Sequence, residues 1–365
     1  MSIKIGIIGG GQLGLMIAEQ AKGLGAYTIA LDPAADAPAF AVCDDHIVAA
    51  YTDEEALVRL CEACDVVTYE FENIPAQVLI PLCEKYNIKQ GYRPLLDSQD
   101  RLREKNNARE HGLQTPPYEV VEGAASLRLA IEKIGLPAVL KTRTMGYDGH
   151  GQAVIRCEAD IAKAEAITTV PCILEGFVDF DFEVSVVAVR SAAKTVVFPV
   201  GRNIHRDGIL DLCVVPAAMS EALREKIEGE CARFMGECGY EGILAIEFFV
   251  KGDEIIFNEM APRPHNSGHY TIEGTTTNQF RELCRFLMDL PLEDAKLAAP
   301  SVIMKNILGE DMDRAEAIAK EGHEGVYVHL YGKTLCKPKR KMAHITFVGL
   351  TLEEYDAEWR DKFKK

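Results

Sequence analysis

An apolar run, Ile3-Lys4-Ile5-Gly6-Ile7-Ile8, passes without a break into Gly9-Gly10-Gly11, with Gly14 three residues further on. A buried strand that turns at once into a helix has no room for side chains at the turn, and Gly9-x-Gly11-x-x-Gly14 supplies small residues where they are needed. The helix follows: Leu13, Met16, Ile17, Gln20, Ala21 and Leu24 recur at helical spacing, and Gly25 stops it. Residues 26–31 read as a second strand ending at Asp32-Pro33, 54–64 as a helix, 65–69 as a third strand and 75–85 as a helix opened by Pro75. Strands alternating with helices make a parallel, doubly wound sheet, placed at residues 1–102.

A chain of 365 residues exceeds one comfortable core. Residues 101–112 predict a charged helix, Thr115-Pro116-Pro117 breaks the chain, and 126–134 is helical again. Short strands at 138–141, 153–155 and 172–175 complete a small α+β lid domain at 103–175. Beyond it come longer alternating strands at 183–189 and 196–200, a helix at 221–238, and an apolar pair at 242–250 and 254–260. This third unit, 176–365, reads as α+β and mostly antiparallel, so the class expected for the whole chain is α/β.

The N-terminal turn admits three readings. With Asp32 ending the second strand it suits a dinucleotide, the pyrophosphate on the helix N-terminus and the acid on a ribose hydroxyl. It also suits mere close packing, or a single phosphate, such as that of a ribotide, held by the same backbone N–H groups. The rest of the chain favours the last.

Lys141 ends an apolar strand and precedes Gly146-Tyr147-Asp148-Gly149-His150-Gly151-Gln152, a loop whose backbone N–H groups can wrap phosphate oxygens. It is no P-loop, since the lysine comes before the glycines; a plain glycine hairpin is the bland alternative. Further on, Glu247 sits inside the apolar strand 242–250, and Asn258-Glu259 near the end of 254–260. A two-residue Gly252-Asp253 turn would put Glu247 opposite Asn258 and beside Glu259. Acids gathered there without a base repel unless a cation intervenes, and an all-oxygen set suits Mg²⁺. The segment Ala261-Pro262-Arg263-Pro264-His265-Asn266-Ser267-Gly268-His269 follows, its side chains suited to an anionic, hydroxyl-bearing substrate.

Composition excludes some classes. A formal net charge of -16 is unsuited to gripping a nucleic-acid backbone. No apolar run approaches the length of a membrane span, and the start of the chain lacks a signal-peptide pattern, so a cytoplasmic setting is expected. The 11 cysteines are scattered, and Cys61-x-x-Cys64 has no second pair at zinc spacing, which points to packing.

Gly9-Gly10-Gly11-Gln12-Leu13-Gly14, Tyr69-Glu70-Phe71-Glu72-Asn73-Ile74-Pro75, Lys141 with the 146–152 loop, Glu175-Gly176-Phe177-Val178, Asn258-Glu259 and Pro262–His269 run in order along the chain. Together they resemble the 5-(carboxyamino)imidazole ribonucleotide synthetases, ATP-grasp enzymes of purine biosynthesis. The resemblance implies carboxylation of aminoimidazole ribonucleotide with ATP and bicarbonate, through carboxyphosphate, by a Mg²⁺-dependent homodimer. It implies that Arg101, Lys141, the flap from Gly146 through Tyr147, Asp148, Gly149, His150 and Gly151 to Gln152, the hinge Glu175-Gly176-Phe177-Val178, Glu183, His205, Asn258 and Glu259 bind ATP. Glu247 and Glu259 would hold the metal, and Gln12, Leu13, Glu70, Asn73, Arg263, His265, Asn266, Ser267, Lys333 and Arg340 the ribotide. Tyr147, Asp148, Arg263, His265 and Lys333 would be the catalytic group. In Lys339-Arg340-Lys341-Met342-Ala343-His344, Ala343 stands where the family has glycine and Lys339 where it has a small residue. Competing classes are an NAD-dependent oxidoreductase, which leaves Glu247 and Glu259 without a role, a non-catalytic nucleotide binder, and a formate-dependent glycinamide ribonucleotide transformylase.

Overall fold

The computed structural model describes residues 2–146 and 151–363. The first unit is a parallel sheet of β1 (Lys4–Ile8), β2 (Tyr27–Asp32), β3 (Asp45–Val48) and β4 (Val66–Tyr69), in the order β3-β2-β1-β4. Its helices are α1 (Gln12–Gly23), α2 (Glu54–Ala63) and α3 (Ala76–Lys85). Strand β3 carries no apolar alternation, so the sequence pattern does not reveal it. The carboxyl ends of β1 and β4 lie side by side, which brings the glycine turn against Glu70.

Two short helices, α4 (Arg93–Ser98) and α5 (Arg101–Glu110), lead onward. The expected boundary at 102/103 falls inside α5, whose residues bond to the hairpin at 242–261 described below. The second unit is an antiparallel sheet of β5 (Tyr118–Val121), β6 (Ala138–Thr142), β7 (Gln152–Ile155) and β8 (Cys172–Gly176), ordered β5-β8-β6-β7. Helices α6 (Ala124–Ile134) and α7 (Glu158–Glu165) cover it through Leu127, Ala130, Ile161 and Ala164.

A large antiparallel sheet forms the rest. Its strands are β9 (Phe182–Arg190), β10 (Thr195–Val197), β11 (Gly201–Arg206), β12 (Ile209–Val215), β13 (Gly242–Lys251), β14 (Glu254–Ala261), β15 (Val302–Leu308), β16 (Val326–Leu330) and β17 (Lys341–Val348). They run β14-β13-β9-β11-β12-β15-β17-β16, with β10 on β9. The strand expected at 196–200 stops at Val197, because Pro199 has no N–H to give the ladder, and pairing resumes at Gly201 as β11. Helix α8 (Glu221–Cys238) is capped by Ser220 and buries Ile227, Cys231, Phe234 and Met235. The short α9 (Thr271–Gly274) precedes α10 (Gln279–Leu287); α11 (Met312–Glu321) and α12 (Leu352–Glu358) close the C-terminal part. Phe280, Leu283 and Phe286 of α10 share one apolar core with Ile5, Met16 and Ile17, so the first unit and the large sheet are packed together.

The turn between β13 and β14 is the expected one, with Lys251 opposite Glu254. The register then slips. Phe248 faces Phe257, but Glu247 faces Glu259, because Asn258 is bulged out of the ladder. The expected Glu247–Asn258 pairing is therefore corrected: the extra residue of a β-bulge shifts the partner by one and sets the two carboxylates directly opposite. Cys61 and Cys64 are free thiols packed with the core around Leu60 and Val67, as the packing reading expects.

Candidate active site

Glu259 and Glu247 lie in register with Ser185 on β9, across three neighbouring strands. Asn203 on β11 accepts from Ser185 Oγ at 3.1 Å and reaches Glu247 Oε1 at 3.4 Å. One residue pair along, His205 Nδ1 bonds Glu183, and burial, which would lower its pKa, is outweighed by Glu183 and Glu247, so the imidazole is raised above its ordinary range. The sheet thus presents one polar row on an otherwise apolar platform.

Charge differs sharply between the two facing acids. Burial and the neighbouring charge of Glu259 push Glu247 up to about 8. Burial would raise Glu259 too, but Arg101 and Lys141 hold it down at about 2. Arg101 Nη1 lies 3.1 Å from Glu259. Two opposed carboxylates with oxygen donors around them are a donor set that fits a divalent cation.

Helix α5 supplies the cations behind the hairpin. Lys105 is wholly buried; its Nζ donates to the carbonyl of the bulged Asn258 at 2.6 Å and lies 3.5 Å from Glu175 on β8. Lys141 on β6 approaches the same carboxylate oxygen at 3.0 Å. Burial alone would raise Glu175, yet Lys105 and Lys141 together bring it to about 2. Glu104 Oε1 accepts from Met260 N–H at 2.6 Å, so α5 grips β14 on both sides of Glu259. The base of the 146–152 loop is tied to the same helix: Arg143 pairs with Asp100, the N-cap of α5, and Arg101 N–H donates to the Arg143 carbonyl.

The far end of the row meets the first unit. His265 Nε2 lies 3.9 Å from Glu247, and its Nδ1 accepts from Ser267 Oγ at 2.7 Å. Burial, then the Arg263 charge, hold His265 down at about 3, so it is neutral. Arg263 makes a two-pronged pair with Glu72. Gln90 connects Thr68 on β4 to the Pro262 carbonyl at 2.9 Å. Asn266 is buried, and neither polar atom of its side chain has a hydrogen-bond partner among the described residues.

The glycine turn itself is already occupied by carboxylates. Gly10 N–H donates to Asp32, and Gly11 and Gly14 N–H to the two oxygens of Glu70, each at 2.8–2.9 Å. Asp32 also accepts from Ala34 N–H and the Tyr51 hydroxyl. The donors and the acid that an NAD reading needs are engaged internally, and the single-phosphate reading loses those three N–H groups as well.

Comparison with known proteins follows this geometry unit by unit. A ribonucleotide synthetase preATP-grasp domain matches residues 1–93, an ATP-grasp domain residues 106–280, and a phosphoribosylaminoimidazole carboxylase C-terminal domain residues 302–358. The N5-carboxyaminoimidazole ribonucleotide synthase of Staphylococcus haemolyticus is 40% identical over 365 residues, covering 99% of this chain and 96% of that protein. The chain belongs to the N5-carboxyaminoimidazole ribonucleotide synthase family. A solved ADP complex of such a synthetase superposes with a TM-score of 0.96 at 42% identity, covering 99% of this chain and 96% of that one. The Aspergillus clavatus enzyme in complex with ADP and 5-aminoimidazole ribonucleotide gives 0.91 at 29% identity, over 99% and 97%. Among the described residues no helix is long and apolar enough to cross a membrane.

For a synthase of this family, the predicted residues fall into three groups. Arg101, Lys141, Glu175, Glu247, Asn258, Glu259, Glu183, His205, Arg263, His265 and Ser267 make the contacts described above, and Asn266 lies between His265 and Ser267 with its side-chain amide unpartnered among the described residues. Gly176 and Phe177 use their N–H groups on the carbonyls of Pro117 and Pro137, fixing the hinge that ends at Val178. Gln12 and Leu13 open α1 beside Glu70, and Asn73 lies in the turn before α3. Lys333 and Arg340 lie on the loop between β16 and β17, which Thr334 joins to Asp36 of the first unit. Gly146, Gly151 and Gln152 flank the loop, whereas Tyr147, Asp148, Gly149 and His150 lie outside the described residues. Sequence reasoning missed Glu72, Gln90, Lys105 and Asn203. A signal existed for Lys105: Arg101–Glu110 has almost no apolar stripe, so a packed helix there must bury charge against charge.

Proposed function

We propose that this chain, an ATP-grasp ligase, carboxylates 5-aminoimidazole ribonucleotide on its exocyclic amine with bicarbonate and ATP, within de novo purine biosynthesis. Bicarbonate oxygen attacks the γ-phosphorus, ADP departs, and the resulting carboxyphosphate delivers its carboxyl group to the amine while phosphate leaves and the amine loses a proton. The observation that carries the reading is the row from Arg101 through Glu259 and Glu247 to His265, with Lys141 paired to Glu175 near its cationic end. Cations suited to a triphosphate stand at one end, and a neutral imidazole with hydroxyl and amide groups suited to a ribotide stands at the other.

Lys141 and Arg101 would neutralise phosphate oxygens, a role that the family resemblance extends to the 146–152 segment. The hinge at 175–178 would read the adenine edge, and Glu183 with His205 would take ribose hydroxyls. Glu247 and Glu259 would hold Mg²⁺, with Asn258 adjacent; bound there, the ion would offset charge on the transferring phosphoryl group. The two acids fit such an ion, since burial first and then the facing charge of Glu259 push Glu247 up to about 8, and a cation between them would offset both. Gln12, Leu13, Glu70, Asn73, Arg263, His265, Asn266, Ser267, Lys333 and Arg340 would face the ribotide, and the family resemblance adds Tyr147 and Asp148, which lie outside the described residues. Glu70 and Arg263 serve here also through protein contacts, because one fixes the glycine turn and the other holds Glu72. A cytoplasmic homodimer belongs to the same proposal and rests on the family resemblance.

The test is ADP formation with Mg-ATP, with and without aminoimidazole ribonucleotide and bicarbonate. Stimulation by the ribotide that requires bicarbonate is expected. Equal turnover with glycinamide ribonucleotide and formate would assign the chain to the transformylases instead.

A further inference from the structure

Gln279, at the start of α10, is wholly buried. Its side-chain amide brackets the backbone of His265: Oε1 accepts from the His265 N–H at 2.9 Å, and Nε2 donates to the His265 carbonyl at 2.9 Å. A neighbouring β-strand would pair a residue in the same way; here one side chain does it. The orientation of the amide is fixed, because only its oxygen can accept from the His265 N–H. The nitrogen end therefore also donates toward His269 Nδ1, 3.2 Å away, which leaves the His269 proton on Nε2.

The surroundings hold this amide still. Gln279 N–H donates to Thr271 Oγ1 at 3.1 Å, and Asn278 caps the helix by accepting from the Phe280 and Arg281 N–H groups. Gly268 makes the space: a Cβ there would lie 2.6 Å from Gln279 Oε1 and 2.8 Å from Cδ. Directly after His265 come Asn266, whose buried amide has no protein partner among the described residues, and Ser267, bonded to the His265 ring. Their placement is set by the backbone that Gln279 grips.

We propose that Gln279 is a positioning residue for the ribotide: it fixes the His265 backbone and thereby aims His265, Asn266 and Ser267 at the substrate, without touching the nucleotide half of the site. The proposal rests on the reading that these three residues face the ribotide. Gln279→Glu keeps the shape but replaces the Nε2 donor with an oxygen that faces the His265 carbonyl, so the segment must shift.

The experiment measures KM for aminoimidazole ribonucleotide and KM for ATP on full-length wild type and Gln279→Glu, with thermal melts of both. The expected result is a ribotide KM raised at least tenfold, with an ATP KM within twofold. A ribotide effect less than five times the ATP effect overturns the proposal, since a purely structural role would move both together or neither. Should Gln279→Glu fail to fold, Gly268→Ala drives a methyl group into the same amide and is judged by the same ratio. Absence of ribotide-stimulated turnover in the wild type would instead remove the functional reading itself, a separate outcome.

Discussion

Lys105→Met removes an ammonium from the centre of the molecule, and the structure sets the size of the effect. Between the usual carboxylate value of 4.5 and about 2, at 1.36 kcal/mol per pH unit, the charged form of Glu175 is favoured by roughly 3 kcal/mol. Lys105 offsets most of that gain, because burial holds its ammonium at about 8 against an ordinary 10.5. The intact pair is therefore close to neutral in stability, as buried ion pairs commonly are. Removing the lysine alone is another matter: Glu175 stays buried with Lys141 as its remaining cation, and the Asn258 carbonyl loses its donor. A cost of about 3 kcal/mol is expected, the lower end for a broken buried pair. With an unfolding entropy of roughly 2.1 cal/mol/K per residue, that corresponds to a melting temperature about 4 °C lower for a cooperative melt. The double variant Lys105→Met/Glu175→Gln should recover more than half of the loss, since no buried charge is then left without a partner. Because the folded value of Glu175 lies below its unfolded one, its contribution is present above about 4.5 and fades as the pH falls toward about 2. The gap between wild type and Lys105→Met should narrow accordingly from pH 6 to pH 3. Differential scanning calorimetry measures all of this. A single variant that melts within 1 °C of wild type, or a double variant that melts lower still, would refute the reasoning.

Three further outcomes are expected. Glu259→Gln should keep its melting temperature within a few degrees, since a pair with Arg101 whose acid is 40% exposed is worth at most about 1 kcal/mol, yet ADP formation at saturating Mg-ATP should fall about a hundredfold; normal turnover would end the metal-ligand assignment. Glu72→Gln leaves the half-buried Arg263 without its carboxylate and should raise the ribotide KM more than the ATP KM, which steady-state kinetics with each substrate varied will decide. Gly14→Ala places a methyl carbon 2.5 Å from the Gly9 carbonyl oxygen, so a loss of about 1–3 kcal/mol by denaturant titration is expected, and an unchanged midpoint would mean that α1 shifts freely.

The regular elements were legible in the sequence because their signals are local. Continuous apolar runs disclose β1 and the β13–β14 pair, and helical spacing discloses α1. Strand β3 leaves no such trace, since Asp45 and His46 interrupt the alternation and the pairing with β2 comes from the parallel topology. The bulge at Asn258 was equally hidden. Its cause is not in the hairpin: Lys105 holds the Asn258 carbonyl and Glu104 the Met260 N–H, from a helix some 150 residues earlier. A register inferred from turn length alone cannot contain that information.

The same separation explains what the motifs could not disclose about the site. Sequence motifs identify charged residues but not their partners, and here the partners lie on other units: Arg101 with Glu259, Lys105 with Glu175, Glu72 with Arg263. Each pair neutralises a charge that, read singly, looks like a ligand contact. The consequence for catalysis is specific to Lys141. If it swings from Glu175 toward a triphosphate, it abandons a buried carboxylate, a move that costs several kcal/mol for an isolated pair. Lys105 stays against that carboxylate throughout, fixed by the Asn258 carbonyl, so Glu175 keeps a cation whichever way Lys141 points. The unremarkable lysine in a charged helix would thus let the conspicuous one exchange partners if Lys141 binds a triphosphate.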